Sequence, residues 1–75
     1  MYQGMTSECT FGQRVRQVRE DLGLTRGELA ERINATPTAL YHWELGRSHP
    51  HHDVYPRLAT ALQCTIDYLM TGRVR

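Results

Sequence analysis

The strongest constraint in this chain is a pair of helix start and stop signals set almost back to back. Thr25 is followed three positions on by Glu28, so a hydroxyl can cap one orphan amide while the carboxylate reaches back to another. The segment this opens carries Leu29, Ala30 and Ile33 on one face and stops at Asn34, which tolerates the left-handed backbone of a tight turn. Thr36 then supplies a second N-cap, and Pro37 falls at the first helical position, where its missing amide costs nothing. Gly46 closes this second segment. Two short helices joined by a very short turn leave few ways to bury both apolar faces. Leu40 and Trp43 must point inward, and Pro37, Thr38, Tyr41, His42 and Leu45 then share the opposite face. A tyrosine and a histidine on an outward face are unusual for a purely structural helix.

The flanking sequence supplies the remaining layers. Phe11, Val15, Val18 and Leu22 fall at helical spacing before Gly23, which predicts a first helix. Residues 47–53 read as a loop. Leu58, Ala59 and Leu62 then mark a fourth helix that starts no earlier than Asp53, with Pro56 in its first turn. Thr65 caps a last short helix with Asp67 near its positive end, apolar Ile66, Leu69 and Met70, and Gly72 as its stop. The expected organisation is a flexible lead-in over residues 1–10, one domain over 11–72 and a tail over 73–75.

At 75 residues the chain is expected to form one domain with a small core; domains near this size bury only about 60% of the unfolded surface. So small an interior favours a binding module over an enzyme with a deep cavity, and no Ser-His-Asp, Cys-His or metal constellation stands at a catalytic spacing. The net charge of +1 is weak for a nucleic-acid binder, so the distribution of charge has to carry that reading. All nine basic residues are arginine, whose planar fork suits phosphates and guanine edges; a compositional bias would leave the same trace. Cys9 and Cys64 are the only cysteines; Cys64 lies in an apolar helical pattern and is expected to pack as a small hydrophobe rather than to form a bridge. No secretory leader is recognisable, and no apolar run reaches the roughly 18 residues that span a bilayer. A cytoplasmic location is therefore expected, with no membrane partner.

Two capped helices around a short turn are the physical makings of a helix-turn-helix. The run LGLTRGELAERINATPTALYHWELGR, followed by LATALQCTIDYLMTG, resembles the Cro and phage-repressor type, the XRE family, over roughly Phe11 to Gly72. Several features carry the resemblance together: Gly23, Glu28-Leu29-Ala30, Trp43-Glu44, Gly46, and Thr65 to Leu69. It implies an all-α, compact five-helix fold in which the second helix lies across the DNA backbone and the third enters the major groove. A homodimer on a palindromic operator is the usual assembly, acting as a transcriptional repressor.

The resemblance also implies roles. Arg26 and Arg47 match positions that hold phosphates, and Thr36 can add its hydroxyl while capping. Thr38, Tyr41 and His42 match positions that face base edges, with Pro37 adding at most an apolar contact. Arg19 and Glu44 match a pair that bridges the first helix to the end of the third and fixes its tilt. The sequence departs from the pattern at Asn34 in place of a turn glycine, at Gly27 in place of a helix former, at Pro37 in place of a polar residue, and at Pro56 with His49-Pro50-His51-His52. The four histidines lack the usual paired ligand spacing, so neither a metal nor another cofactor is expected. They read instead as a loop that gains charge below about pH 6.5.

Ile66, Tyr68, Leu69 and Met70 form a candidate dimer surface; the alternative is that they only close the monomer core. With no second domain recognised, regulation is expected through concentration, oligomer change or an antagonist protein of antirepressor type. A rival reading is a protein-interaction module, such as an antitoxin or the docking half of a two-part regulator.

Overall fold

The computed structural model describes residues 10–73. The expected lead-in before Thr10, including Cys9, and the last two residues of the expected tail lie outside the described residues. The described chain forms five helices: α1 (Phe11–Asp21), α2 (Arg26–Ile33), α3 (Pro37–Leu45), α4 (Val54–Ala61) and α5 (Ile66–Thr71). This is the predicted all-α order.

Helix boundaries follow the local chemistry. Thr25 and Glu28 form the reciprocal cap, with Glu28 N to Thr25 Oγ1 at 3.0 Å and Thr25 N to Glu28 Oε1 at 2.8 Å. The second of these bonds, donated by the Thr25 amide, together with the Thr25 hydroxyl, holds the Glu28 carboxyl below its ordinary pKa because both favour the charged form. Asn34 takes φ 60° in the left-handed region and turns the chain toward α3, where Thr36 Oγ1 accepts from Ala39 N at 3.1 Å. Thr10, which the sequence reading leaves in the lead-in, instead caps α1: Gln13 N donates to its hydroxyl at 3.2 Å, and Gln13 Oε1 accepts from Thr10 N at 2.9 Å. Apolar periodicity begins only at Phe11 and does not register that cap. Asp53 is the N-cap of α4 and Pro56 lies in its first turn, as expected, but the Asp53 side chain makes no capping bond.

The core draws on every helix. Val15, Val18, Leu29, Ile33, Leu40, Leu58, Leu62 and Leu69 are fully buried, and burial of side chains of this kind contributes about 1.5–3 kcal/mol each. Trp43 belongs to the same cluster, and Cys64 is half-buried against it. Two expectations need correction. Leu22 is exposed at the end of α1, and Leu24 closes the core there instead, because Gly23 at φ +73° turns the chain before the next apolar side chain. Leu69 is 0% exposed and belongs to the monomer core, so it offers nothing to a partner.

Close packing of α1 against α3 depends on a glycine that hydrophobic patterning passes over. A Cβ on Gly12 would lie 2.2 Å from the Trp43 carbonyl oxygen and 2.8 Å from that of Glu44. Only a residue without a side chain lets α1 approach the end of α3 this nearly. On the other side of α1, Arg14 Nε donates to the Leu69 carbonyl at 2.9 Å and Nη2 to that of Met70 at 3.0 Å, satisfying backbone acceptors at the end of α5. Gly27, by contrast, has room, for a Cβ there would meet only Thr25 Oγ1 at 3.8 Å and Pro37 Cγ at 4.0 Å.

Candidate nucleic-acid interface

The outward face of α3 is the one the sequence predicts. Pro37, Thr38, Tyr41 and Leu45 are exposed and His42 is half-buried, while Leu40 and Trp43 on the reverse face are buried. Pro37 presets the first turn, and the Thr36 cap satisfies an amide that would otherwise need water. At the far end Gly46, at φ 79°, lets its own amide return to the Trp43 carbonyl and the Arg47 amide to that of His42 at 2.9 Å. Arg47 therefore leaves the helix in a defined direction.

Behind this face lies a buried carboxylate. The Glu44 side chain is 2% exposed and accepts from Arg19 Nε at 2.8 Å and Arg19 Nη2 at 3.2 Å, a two-pronged bond that fixes both groups. Arg19 Nη1 donates to the Leu24 carbonyl at 2.8 Å. The expected bridge from α1 to α3 is thus present, and it has a third member: Arg26 Nε donates to Glu44 Oε1 at 2.9 Å. The family resemblance pairs Arg19 with Glu44 but says nothing of α2, and Arg26 and Glu44 meet only because α2 and α3 cross. The Arg26 side chain remains 37% exposed. It is tied down at Nε and still reaches the surface.

Two guanidinium groups surround Tyr41. Arg26 Cζ lies 5.2 Å from the ring centroid and Arg47 Cζ 6.0 Å from it, both within the range where a cation is drawn to an aromatic face. The His42 ring centroid is 5.8 Å from that of Tyr41. The structure therefore brings Arg26, Tyr41, His42 and Arg47 together, with Thr36, Pro37 and Thr38 at the other end of the same helix. A polar, donor-bearing strip edged by cations is chemically suited to an anionic, base-bearing ligand.

The candidate partner surface divides. Ile66 and Met70 are 41% and 48% exposed, Tyr68 is half-buried against the core, and Leu69 is withdrawn as above. Among the described residues no helix is long and apolar enough to cross a membrane.

A family model described as a helix-turn-helix domain matches residues 10–71. The chain is 31% identical over 62 residues to the transcriptional activator BcrR of Enterococcus faecalis, covering 83% of this chain and 30% of that protein. It is likewise 31% identical over 62 residues to repressor protein C2 of Salmonella phage P22, covering 83% of this chain and 29% of that one. With the regulator DicA of Escherichia coli it shares 30% identity over 67 residues, or 89% of this chain and 50% of that protein. The chain thus spans less than a third of the first two relatives and half of the third. Among solved structures, the P22 c2 repressor in complex with a synthetic operator superimposes with a TM-score of 0.81 at 30% identity, over 84% of this chain and 96% of that one.

Proposed function

This chain belongs to the helix-turn-helix family of Cro and phage-repressor type, and on that premise we propose that it binds double-stranded operator DNA sequence-specifically and represses transcription by occupying it. The observation that carries the proposal is the α3 face: exposed Thr38 and Tyr41 with half-buried His42, edged by Arg26 and Arg47 and braced from behind by Glu44. Arg26 and Arg47 hold phosphates of the DNA backbone. The Thr36 hydroxyl, while accepting from Ala39 N, donates its own proton to a phosphate oxygen. Thr38, Tyr41 and His42 read base edges, and the Pro37 ring contributes an apolar contact to a thymine methyl. Nothing in this action requires catalysis or a cofactor.

Specific binding uses a homodimer, since two reading helices about 34 Å apart meet successive major grooves on one side of the duplex. Ile66 and Met70, with the edge of Tyr68, are the apolar side chains available to pair. The protein acts in the bacterial cytoplasm, and its occupancy is controlled by its concentration, by assembly or by an antagonist protein. Selection of bound sequences from a random DNA pool tests the proposal. A two-fold symmetric motif is the expected outcome, and enrichment without any motif would overturn it. A module that instead docks a polypeptide through apolar contacts would lose little affinity as salt rises, whereas release of counterions from DNA makes the loss steep.

A further inference from the structure

The connection between α3 and α4 carries a second cluster that the DNA-reading face does not use. His51, His52 and Asp53 each place one metal-ligating atom so that all three lie within 4.8 Å of one another. The spacing rule that argues against a metal site in the sequence assumes ligands presented by one helix face or by paired strands. Here a turn brings three consecutive side chains to one place. The turn is held by backbone bonds, from Val54 N to the His51 carbonyl at 2.9 Å and from Tyr55 N to that of His52 at 3.4 Å. Pro50 is buried just before it and anchors the approach.

We propose that His51, His52 and Asp53 form a binding site for a divalent transition-metal ion of the zinc, nickel or copper type. The two imidazole rings stand side by side, with centroids 4.4 Å apart, and His51 Nδ1 already faces Asp53 Oδ1. The His51 and Asp53 side chains are 70% and 66% exposed, so an ion can arrive and can complete its shell with water. The N-cap threonines of α1, α2, α3 and α5 all accept a capping bond, but Asp53 at the N-cap of α4 does not, which leaves its carboxylate committed to the histidine side of the turn. Two imidazoles and one carboxylate suit zinc, nickel and copper, whereas magnesium and calcium take oxygen donors. Ligand bonds near 2.1 Å require small side-chain rotations that let the ion replace the direct contact between His51 and Asp53 and bring His52 in, which exposed rotamers allow at low cost.

The site stands apart from the DNA proposal, because it is measured on the protein alone. The full chain is titrated with zinc chloride by calorimetry at neutral pH, beside magnesium chloride as a control. One zinc ion per chain is expected, with no magnesium heat. His51→Ala and His52→Ala should each weaken zinc binding by at least about tenfold, Asp53→Asn should weaken it too, and His49→Ala should leave it unchanged. Zinc should also raise the melting temperature of the wild type but not of the His51→Ala/His52→Ala double variant, since a ligand stabilises only the state that binds it. Undiminished zinc binding by the double variant would overturn the proposal, as would the absence of saturable binding. So would a thiolate charge-transfer band in the cobalt-loaded protein, which would place the ion at cysteine.

Discussion

The turn from α2 to α3 and the connection from α3 to α4 solve the same problem in different ways. The first is held by local chemistry: Asn34 in the left-handed region, Thr36 as cap and Pro37 in the opening position. The second begins just as locally, at Gly46, but its later course depends on tertiary anchors. Glu44 is pinned behind it, Pro50 is buried along it, and the N-cap at its end goes unused. A short turn has no freedom to spare, so every residue serves the backbone. A longer connection can fix one or two points and leave its remaining side chains exposed for ligands.

If α3 depends on distant contacts at its C-terminal end, removing them should cost the most. Glu44→Ala takes the two-pronged acceptor from the buried Arg19 guanidinium, leaving only the longer pairing to Glu20 at 3.8 Å, and should cost about 3–5 kcal/mol in urea unfolding. Arg19→Ala should cost less on the Glu44→Ala background than in the wild type, because the two share a bond. Additive losses would show that the α3 end does not rest on this network.

Gly12→Ala tests the same end by sterics rather than charge. A methyl group 2.2 Å from the Trp43 carbonyl oxygen forces α1 away from α3, and overpacking of this kind costs about 1–3 kcal/mol. Unchanged stability would mean that the α1–α3 approach is looser than its geometry.

The two N-caps bounding the compared regions sharpen it further. Thr36→Ala should cost about 1 kcal/mol, since it removes the bond to the Ala39 amide. Asp53→Ala should cost less than this in the metal-free protein, because its side chain caps nothing and only its exposed bond to His51 is lost.

The smallest effect is on acid stability. Glu28 is held below its ordinary pKa by Thr25, and Asp53 is held below its own first by the bond to His51. With both folded values depressed, the unfolded chain binds protons first. The stability these groups supply is complete above the ordinary carboxylate range and is lost as pH falls through the folded values. Glu28→Gln should therefore flatten the acid limb of the melting curve. Asp53→Asn should flatten it too, and less so on a His51→Ala background, where the largest cause of the depression is gone.

Much of the fold was legible because it rests on caps and periodicity. Thr25, Asn34, Thr36, Pro37, Gly46, Thr65 and Gly72 mark boundaries that the structure reproduces. What escaped notice depends on how helices cross. Gly12 matters only because Trp43 and Glu44 pass over it, Arg14 only because α5 ends beside it, and Arg26 joins Glu44 only across two helices. Leu69 lies at a position that periodicity marks as apolar, but periodicity does not distinguish a core from a dimer seam. Gln63 ends the α4 region with φ 57°, a left-handed residue with no glycine or asparagine to announce it. The exposed α3 face was visible in the sequence. Its edging by two guanidiniums around Tyr41 was not, since cation-to-ring approach is a matter of geometry.

Whether helix α3 reads bases while Arg26 and Arg47 position the backbone is tested directly by a set of binding curves. Affinity is measured for the selected operator and its single-base variants at several salt concentrations. Arg26→Ala and Arg47→Ala should weaken all sequences alike and each reduce the salt dependence by about one unit, as lost phosphate contacts do. Thr38→Ala, Tyr41→Ala and His42→Ala should relax discrimination at particular base pairs, with about 1–3 kcal/mol at stake for each good contact. Because Pro37 has no side-chain donor, the largest losses of discrimination should fall at Tyr41 and His42. If these variants keep the wild-type preference profile while overall affinity alone declines, α3 is not the reader.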